Sequence, residues 1–398
     1  MKKNGFIVGL AAAAVAAGAQ ETVSKAEFEK LQSQVEALTA QLQAKSEAPA
    51  VVEAKEKSSI FASLPEGFEF GALFEVEANY NRQRKGGDKE SDITMATVEL
   101  SAGWQLLDWL RADLTFLYEE NDTDFGVDQA IITIGNTDAF PLYFQAGKMY
   151  VPFGRFDSFF IFDPVVLELA EANETAALLG FEKGGFNASI SIFNSDVETD
   201  DRGDHIENAV LAASYTVEKD NYSFAFGGAV IRNMYTADTM SDFISDWRDQ
   251  AVGDIDGDGI DDTAFANLDD DTAGVNLWAT FSFGPATFIA EYVRAIEAID
   301  LGYDGSAGVS ESARIKPESL NLEVGVQLTE KITAAAKYEK SRHVADVFAK
   351  NRYGVVGSYT IVDNDICTLT ASMEYMREDF GAGARDADVV TGQLALEF

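Results

Sequence analysis

A run of aspartates is the densest set of possible metal ligands in the sequence. Four of them stand at positions 1, 3, 5 and 9 of one loop that has Gly259 at position 6, and these are Asp254, Asp256, Asp258 and Asp262. Calcium takes about six to eight oxygen ligands, and carboxylates at this spacing around a tight glycine turn form such a cup. We therefore predict a Ca²⁺ site at these four residues, with calcium as a structural cofactor.

The twelfth position of that loop distinguishes two kinds of calcium site. An EF-hand needs a bidentate Glu there, whereas this sequence has Phe265. The pattern instead resembles the Asp-x-Asp-x-Asp-Gly-x-x-Asp loops of calcium-binding repeats. The alternative is a solvated acidic loop without metal. Residues 238–271 hold twelve Asp and one Arg, so their mutual repulsion without a cation favours the calcium interpretation.

The remaining composition gives little support for catalysis or for nucleic-acid binding. The chain has 398 residues, a formal charge of -37, two histidines and one cysteine. Such a charge repels phosphate backbones, and one cysteine excludes an intrachain disulfide framework. His205 and His343 fall in predicted loops, and neither belongs to a plausible constellation of a Ser nucleophile with an orienting carboxylate. We expect no nucleic-acid partner and no enzymatic activity.

The first 64 residues have the pattern of an exported chain. Two lysines, a short apolar stretch and Ala17-Gly18-Ala19 predict a signal peptide over residues 1–19. Residues 24–45 carry apolar positions spaced 3, 4, 3 and 4, which is the seam of a coiled coil and favours self-association. A helix packed on its own domain remains the alternative. Residues 46–64 read as a linker.

From residue 65 to residue 398 the pattern has period two. Residues 68–80 alternate apolar even positions with polar odd ones, and comparable alternation recurs to the end of the chain. Sixteen candidate strands can be counted. Their connections alternate between short turns and long polar loops, as in outer-membrane barrels with tight periplasmic turns. We therefore predict an all-β transmembrane antiparallel β-barrel of about 16 strands in outer-membrane lipid.

The polar face of the predicted strands would line the lumen and is mostly acidic. Its predicted charged residues are Glu75, Glu77, Glu99, Arg111, Asp113, Glu119, Glu291, Glu323, Lys337 and Glu374. An acidic lumen favours cations over anions. The alternative is that lumen positions are polar in any porin, so that the sign of their charge is incidental.

The segment 147–171, GKMYVPFGRFDSFFIFDPVVLELAE, joins candidate strands five and six. It resembles the LbtU-like siderophore porin family, in which a strand runs into Pro-Phe-Gly and then an Asp-Pro-x-x-x-x-Leu stretch. A shorter Gly-x-x-x-x-Pro-Phe-Gly element is similar to one in phosphate-selective porins. The resemblance implies a loop that folds inward and narrows the channel, formed by Val151, Pro152, Phe153, Gly154, Phe156, Asp163, Pro164 and Glu168.

The residues themselves agree with an inward loop, since an unbroken aromatic run is too apolar for a water-exposed surface. A lipid-facing strand is the alternative, but the run lacks alternation.

We expect a channel for small hydrophilic solutes with a cation preference, and the resemblance extends this to ferric-siderophore uptake. A homo-oligomer is expected, with trimer and dimer both open. The other functional hypothesis is a structural envelope protein whose barrel anchors a cell-wall-tethering coil.

Overall fold

The computed structural model describes residues 66–84, 87, 89–194, 205–248, 263–267, 272–305, 308–343, 348–381 and 386–398. The predicted signal peptide, coiled coil and linker lie outside these residues, and so does the predicted calcium loop.

Nineteen strands make up most of the described chain. They are β1 (Phe68–Gln83), β2 (Lys89–Leu107), β3 (Leu110–Glu119), β4 (Thr123–Gly135), β5 (Leu142–Tyr150), β6 (Asn173–Lys183), β7 (Phe186–Asn194), β8 (Ile206–Lys219), β9 (Tyr222–Ile231), β10 (Thr263–Asn267), β11 (Gly274–Phe283), β12 (Ala286–Ala295), β13 (Ile299–Gly305), β14 (Gly308–Ile315), β15 (Glu318–Thr329), β16 (Ile332–Arg342), β17 (Asn351–Asp363), β18 (Thr368–Asp379) and β19 (Ala387–Glu397). Sixteen of them form one closed antiparallel barrel, which confirms the predicted fold class.

Strands that follow one another along the chain pair in the barrel, and β1 closes it by pairing with β19. Leu73 faces Glu397 across that seam, and the backbone of Phe398 exchanges two hydrogen bonds with Ala72. The ring of Phe398 stacks on Phe74 at 6.1 Å between centroids. Apolar side chains point outward along the strands, as expected where the outer surface meets lipid.

Three strands were not predicted. β10, β13 and β14 form a separate antiparallel sheet within connections that the sequence assigned to polar loops. The connection from β9 to β11 also contains a 3₁₀ turn, Met234–Thr236, and a helix, Asp238–Arg248, which we label α2 because a shorter helix precedes it. Among the described residues, no helix is long and apolar enough to cross a membrane.

The alternation of β2 changes phase at a β-bulge. The register against β1 shifts between Glu75 and Val76, so that Glu75 faces Thr97 whereas Val76 faces Met95. Ala96 therefore lines an internal cavity instead of the apolar outer face on which its spacing from Val98 placed it. An extra residue in one strand shifts every side chain beyond it to the opposite face.

The chain between β5 and β6, Val151–Ala172, enters the barrel, and we call it the inward segment. It contains helix α1 (Val165–Glu168). Its apolar side chains join a buried cluster with the inner faces of β6–β9 and β12 and with α2. On β6 and β7 both faces are apolar, since Leu178 and Phe193 point into this cluster while Leu179 and Ile192 point outward.

Three buried carboxylates on distant strands bind the backbone of the inward segment, and we call Glu291, Glu323 and Glu374 the wall glutamates. They lie on β12, β15 and β18. Glu291 accepts hydrogen bonds from the N–H groups of Arg155 (3.0 Å) and Phe156 (2.7 Å).

The other two wall glutamates act in the same way. Glu323 accepts from Phe159 N–H and from the hydroxyl of Ser158, both at 2.8 Å. Glu374 accepts from the N–H groups of Ile161 (2.7 Å) and Phe162 (3.3 Å). Charge-assisted bonds to otherwise unpaired backbone donors are the stronger kind, so these contacts hold the segment against one wall of the barrel.

We expect Glu291→Gln to destabilise the barrel by roughly 1–3 kcal/mol, because an amide places an N–H group where the segment also presents N–H donors. Urea unfolding in lipid vesicles, followed by tryptophan fluorescence, measures this. Trp278 is a suitable probe because the guanidinium of Arg155 lies 4.8 Å from its ring. The matched control is Glu69→Gln, which removes a more exposed ion pair with Arg111 and should cost less than about 1 kcal/mol. Equal losses in the two variants would contradict the proposed role of Glu291.

Candidate functional site

Two adjoining cavities lie in the open space of the barrel that the described residues enclose. The first, which we call the β4-side cavity, has a volume of about 610 Å³ and is lined by β3–β6, the inward segment and α2. The second, the β1-side cavity, has a volume of about 730 Å³ and is lined by β1–β3, β18, β19 and the inward segment. Volumes of this size accommodate small organic molecules.

The β4-side cavity is strongly acidic. Its carboxylates are Glu119, Asp122, Asp124, Asp128, Asp163, Glu168, Glu171, Asp238 and Asp242. Of the described residues that line it, Lys148 alone carries a positive charge, and its ammonium donates to the carbonyl of Val127 at 3.1 Å. One lysine against nine acids leaves a field that attracts cations.

Two kinds of residue line the β1-side cavity. Its acids are Glu75, Glu77, Glu119, Asp163, Glu168 and Glu378. The inward segment also contributes Phe159–Phe162, a run of three phenylalanines and an isoleucine that we call the apolar ledge. None of the described residues lining this cavity is Lys or Arg.

The two cavities meet at Glu119, Asp163 and Glu168, which line both. Hydroxyl groups fix two of these carboxylates. Thr123 donates to Glu119 at 2.9 Å, and Thr239, at the start of α2, donates to Glu168 at 3.1 Å. The junction therefore presents acids from the barrel wall on one side and from the inward segment on the other.

Burial, together with neighbouring negative charges, raises the pKa values of the acids on the inward segment. Burial raises the pKa of Asp163, although the positive charge of Lys337 opposes this. Burial also raises the pKa of Glu168, against the hydrogen bond from Thr239. For Glu171, burial followed by the negative charges of Asp238, Asp163 and other neighbouring acids raises the pKa to about 8. Glu171 therefore changes its charge near neutral pH.

The charged residues predicted to line the lumen divide into four groups. Glu75, Glu77 and Glu119 line the cavities. Arg111 pairs with Glu69 and Asp113, both at 2.8 Å, near the short turns. Glu99 faces Leu73 and Leu117 across its neighbouring strands and lines neither cavity.

The remaining predicted lumen charges do not line the open lumen as expected. Glu291, Glu323, Glu374 and Lys337 are 2%, 4%, 1% and 5% exposed, because the inward segment covers them. They face inward as the alternation indicates, but they contact protein groups there. The sequence could not show this, because the covering segment is about 130 or more residues away along the chain.

The residues predicted to narrow the channel lie in two places. Val151, Phe153 and Pro164 are buried in the apolar cluster or beside it. Asp163 and Glu168 line both cavities. The other three, Pro152, Gly154 and Phe156, are partly buried where the segment turns inward.

The phenylalanine rings of the ledge pack against glycines and positively charged side chains of the barrel wall. A methyl group added at Gly325 would touch the ring of Phe159, and one at Gly354 would touch that of Phe160. The Lys337 ammonium lies 4.7 Å from the ring centre of Phe160. Sequence analysis missed these two glycines, which in a strand often mark close approach of another chain segment.

Arg352 on β17 was also missed. Its guanidinium lies 4.5 Å from the ring centre of Phe162 and donates to Glu378 at 2.8 Å. Both buried bases have acidic partners, since Lys337 lies 3.2 Å from Glu323 and 3.4 Å from Glu339. Their charges are therefore compensated beneath the ledge.

Metal binding has no candidate group within the part of the chain that the structure describes. No cluster of three or more His, Cys, Asp or Glu side chains in that part has the geometry to hold a metal ion. The predicted ligands Asp254, Asp256, Asp258 and Asp262 lie outside the described residues.

Comparison with known sequences shows relatives but assigns no function. No protein-family model matches the chain. A UPF0422 protein of Coxiella burnetii is 24% identical over 245 residues, which cover 58% of this chain and 48% of that protein. A UPF0422 protein of Legionella pneumophila is 31% identical over 120 residues, covering 28% of this chain and 23% of its own length. The matched regions thus span about half or less of these relatives.

Comparison with solved structures shows the fold. The outer-membrane channel DcaP of Acinetobacter baumannii matches with a TM-score of 0.54 at 10% identity, covering 83% of this chain and 97% of that one. The OmpF porin of Salmonella typhi in complex with daunomycin matches at 0.53 and 11%, with the same coverage. An anion-selective porin from Comamonas acidovorans matches at 0.50 and 13%, covering 83% and 98%. The chain therefore has the barrel fold of outer-membrane porins.

Proposed function

We propose that this protein is an outer-membrane channel that passes small hydrophilic solutes and prefers cations. The observation that carries the proposal is the junction of Glu119, Asp163 and Glu168, at which two acidic cavities meet. A solute that crosses from one cavity to the other passes carboxylates from both the wall and the inward segment. Rings of such groups select for cations.

The fold alone does not decide the sign of the selectivity, since one porin of similar fold is described as anion-selective. The sign follows here from where the charges lie. The bases Lys337 and Arg352 are buried beneath the apolar ledge and paired with acids, whereas the acids that line the β1-side cavity are at least partly exposed. A permeating ion therefore meets mainly negative charge.

The resemblance to siderophore porins adds ferric siderophores as a finer proposal. An acidic passage disfavours anionic complexes, so we expect neutral or cationic ferric siderophores to be the ones that enter. Growth of a deletion strain on such a complex as the iron source measures this. Unchanged growth would remove siderophore uptake and leave the channel proposal standing.

The N-terminal residues extend the proposal to assembly. Residues 1–19 would direct export, and residues 24–45 would form a periplasmic coiled coil that joins copies of the chain, as a trimer or a dimer. Light scattering of the detergent-purified protein, with and without residues 24–45, gives the number of copies. An equal mass per particle in both would contradict this role for the coil.

In a planar bilayer with a KCl gradient, we expect the reversal potential to give a cation permeability at least about threefold above that of chloride. The double variant Glu119→Gln with Glu168→Gln should lower this ratio at least about twofold, because it removes two charges from the junction. The control is Asp138→Asn in the short turn between β4 and β5, which should leave the ratio unchanged.

Two results would count against this function. A preference for chloride in the wild-type protein would refute the cation preference but not the channel. The absence of any conductance would refute the channel and favour a structural role, with the barrel as a membrane anchor.

Cation preference should rise with pH. The pKa of Glu171 is raised to about 8, so this carboxyl is mostly neutral at pH 6 and mostly ionised at pH 9. The β4-side cavity therefore gains negative charge over this interval, and the ratio of potassium to chloride permeability should increase. Reversal potentials between pH 6 and 9 measure the change. Glu171→Gln should flatten the curve, and an unaltered curve in that variant would exclude Glu171 as its origin.

We also propose that the loop with Asp254, Asp256, Asp258 and Asp262 binds one structural Ca²⁺. Equilibrium dialysis of the full chain with radioactive calcium should find a bound ion whose affinity falls at least about tenfold in the double variant Asp256→Asn with Asp258→Asn. The matched control, Asp269→Asn with Asp270→Asn, removes the same charge outside the motif. Equal effects of the two variants would indicate a diffuse counterion atmosphere and no site.

A further inference from the structure

The β1-side cavity combines carboxylates with an accessible apolar surface, and the cation preference proposed above explains only the carboxylates. A passage for hydrated inorganic cations needs acids and water. The apolar run Phe159–Phe162 contributes nothing to such a passage, because apolar surface exposed to water is unfavourable. Exposed apolar patches in clefts mark places where an apolar part of a ligand lies.

The ledge is held in place by the wall behind it. The wall glutamates Glu323 and Glu374 bind the backbone N–H groups of Phe159, Ile161 and Phe162. Gly325 and Gly354 leave space for the rings of Phe159 and Phe160. The ledge is therefore a preorganised surface, which lowers the entropic cost of binding.

Phe162 is the most exposed residue of the ledge. It is 38% exposed, with the guanidinium of Arg352 against its ring and Asp163 following it in the chain. Glu75 and Glu77 of β1 line the same cavity. A ligand in this space meets both apolar surface and negative charge.

We propose that the β1-side cavity is a binding site for small organic cations, in which an apolar body lies on Phe159–Phe162 while a positively charged group faces Glu75, Glu77 and Asp163. This inference rests on the proposed function and names the class of solute that the channel favours. The volume of about 730 Å³ fits an alkyl- or arylammonium ion, whereas a metal ion would leave the ledge unused. Ring faces attract ammonium groups, so the aromatic residues contribute to both parts of the ligand.

The experiment compares two cations of equal charge in planar bilayers containing the full chain. Benzyltrimethylammonium carries an apolar ring, and tetramethylammonium does not. We expect half-maximal reduction of the potassium current at a concentration at least about threefold lower for benzyltrimethylammonium. This ratio should fall to about one in Phe162→Ser and should also decrease in Ile161→Ser, which keeps Phe162 over Arg352. Phe140→Ser, the same type of change in a short turn outside both cavities, should preserve it.

The ratio of the two blocking concentrations separates the ledge from general charge effects. If Phe162→Ser uncovers Arg352, both cations are repelled alike and the ratio is unaffected by that repulsion. Equal potency of the two ions in the wild-type protein would overturn the binding site while cation selectivity stands. Loss of conductance or a chloride preference in the wild-type protein would overturn the proposed function and this inference with it. If Phe162→Ser does not fold, Ile161→Ser and the wild-type comparison decide the matter.

Discussion

Three buried carboxylates that accept backbone N–H groups from the inward segment determine the interior of this barrel. Burying Glu291, Glu323 and Glu374 is unfavourable unless each finds donors, and the segment Arg155–Phe162 supplies them. The segment has the complementary need, since its backbone forms no strand and its N–H groups require acceptors inside the barrel. Neither part is satisfied without the other, so the segment has one position and the space left open has one shape.

That position divides the barrel interior into a half filled by apolar side chains and a half with open, acidic cavities. On the side of β6–β9 and β12, Val151, Phe153, Val165 and Val166 join the inner faces of the strands in an apolar cluster. On the side of β1–β5, β18 and β19, two acidic cavities remain. The same segment supplies residues to both halves: Asp163 and Glu168 stand at the junction of the cavities, and the ledge covers Lys337 and Arg352. Burial of those two bases leaves the passage with its acids, so packing in one half sets the electrostatics of the other.

The strands were predictable and the interior was not. Alternation over sixteen runs predicted the barrel because the lipid-facing positions repeat every second residue along each strand. It missed the bulge beside Glu75, since one extra residue reverses the pattern without changing composition. It also missed β10, β13 and β14, which lie in stretches that read as polar loops. Among the candidate site residues, Glu75, Glu77 and Glu119 could be predicted to face the lumen from the alternation of side chains along their strands. Asp128, Glu171 and Asp238 could not, because only the fold brings them to one cavity.

The sequence by itself determined the number of barrel strands, the outward face of most of them and the acidic sign of the inner face, because these are local properties of period and composition. The tertiary structure alone decided which inward acids meet water. Glu291 and Glu119 look alike in sequence, each a carboxylate on the polar face of a strand. One is covered by the inward segment and binds its backbone, and the other remains in the open lumen. The difference arises from contacts between residues far apart in the chain, and alternation within a strand carries no information about such contacts.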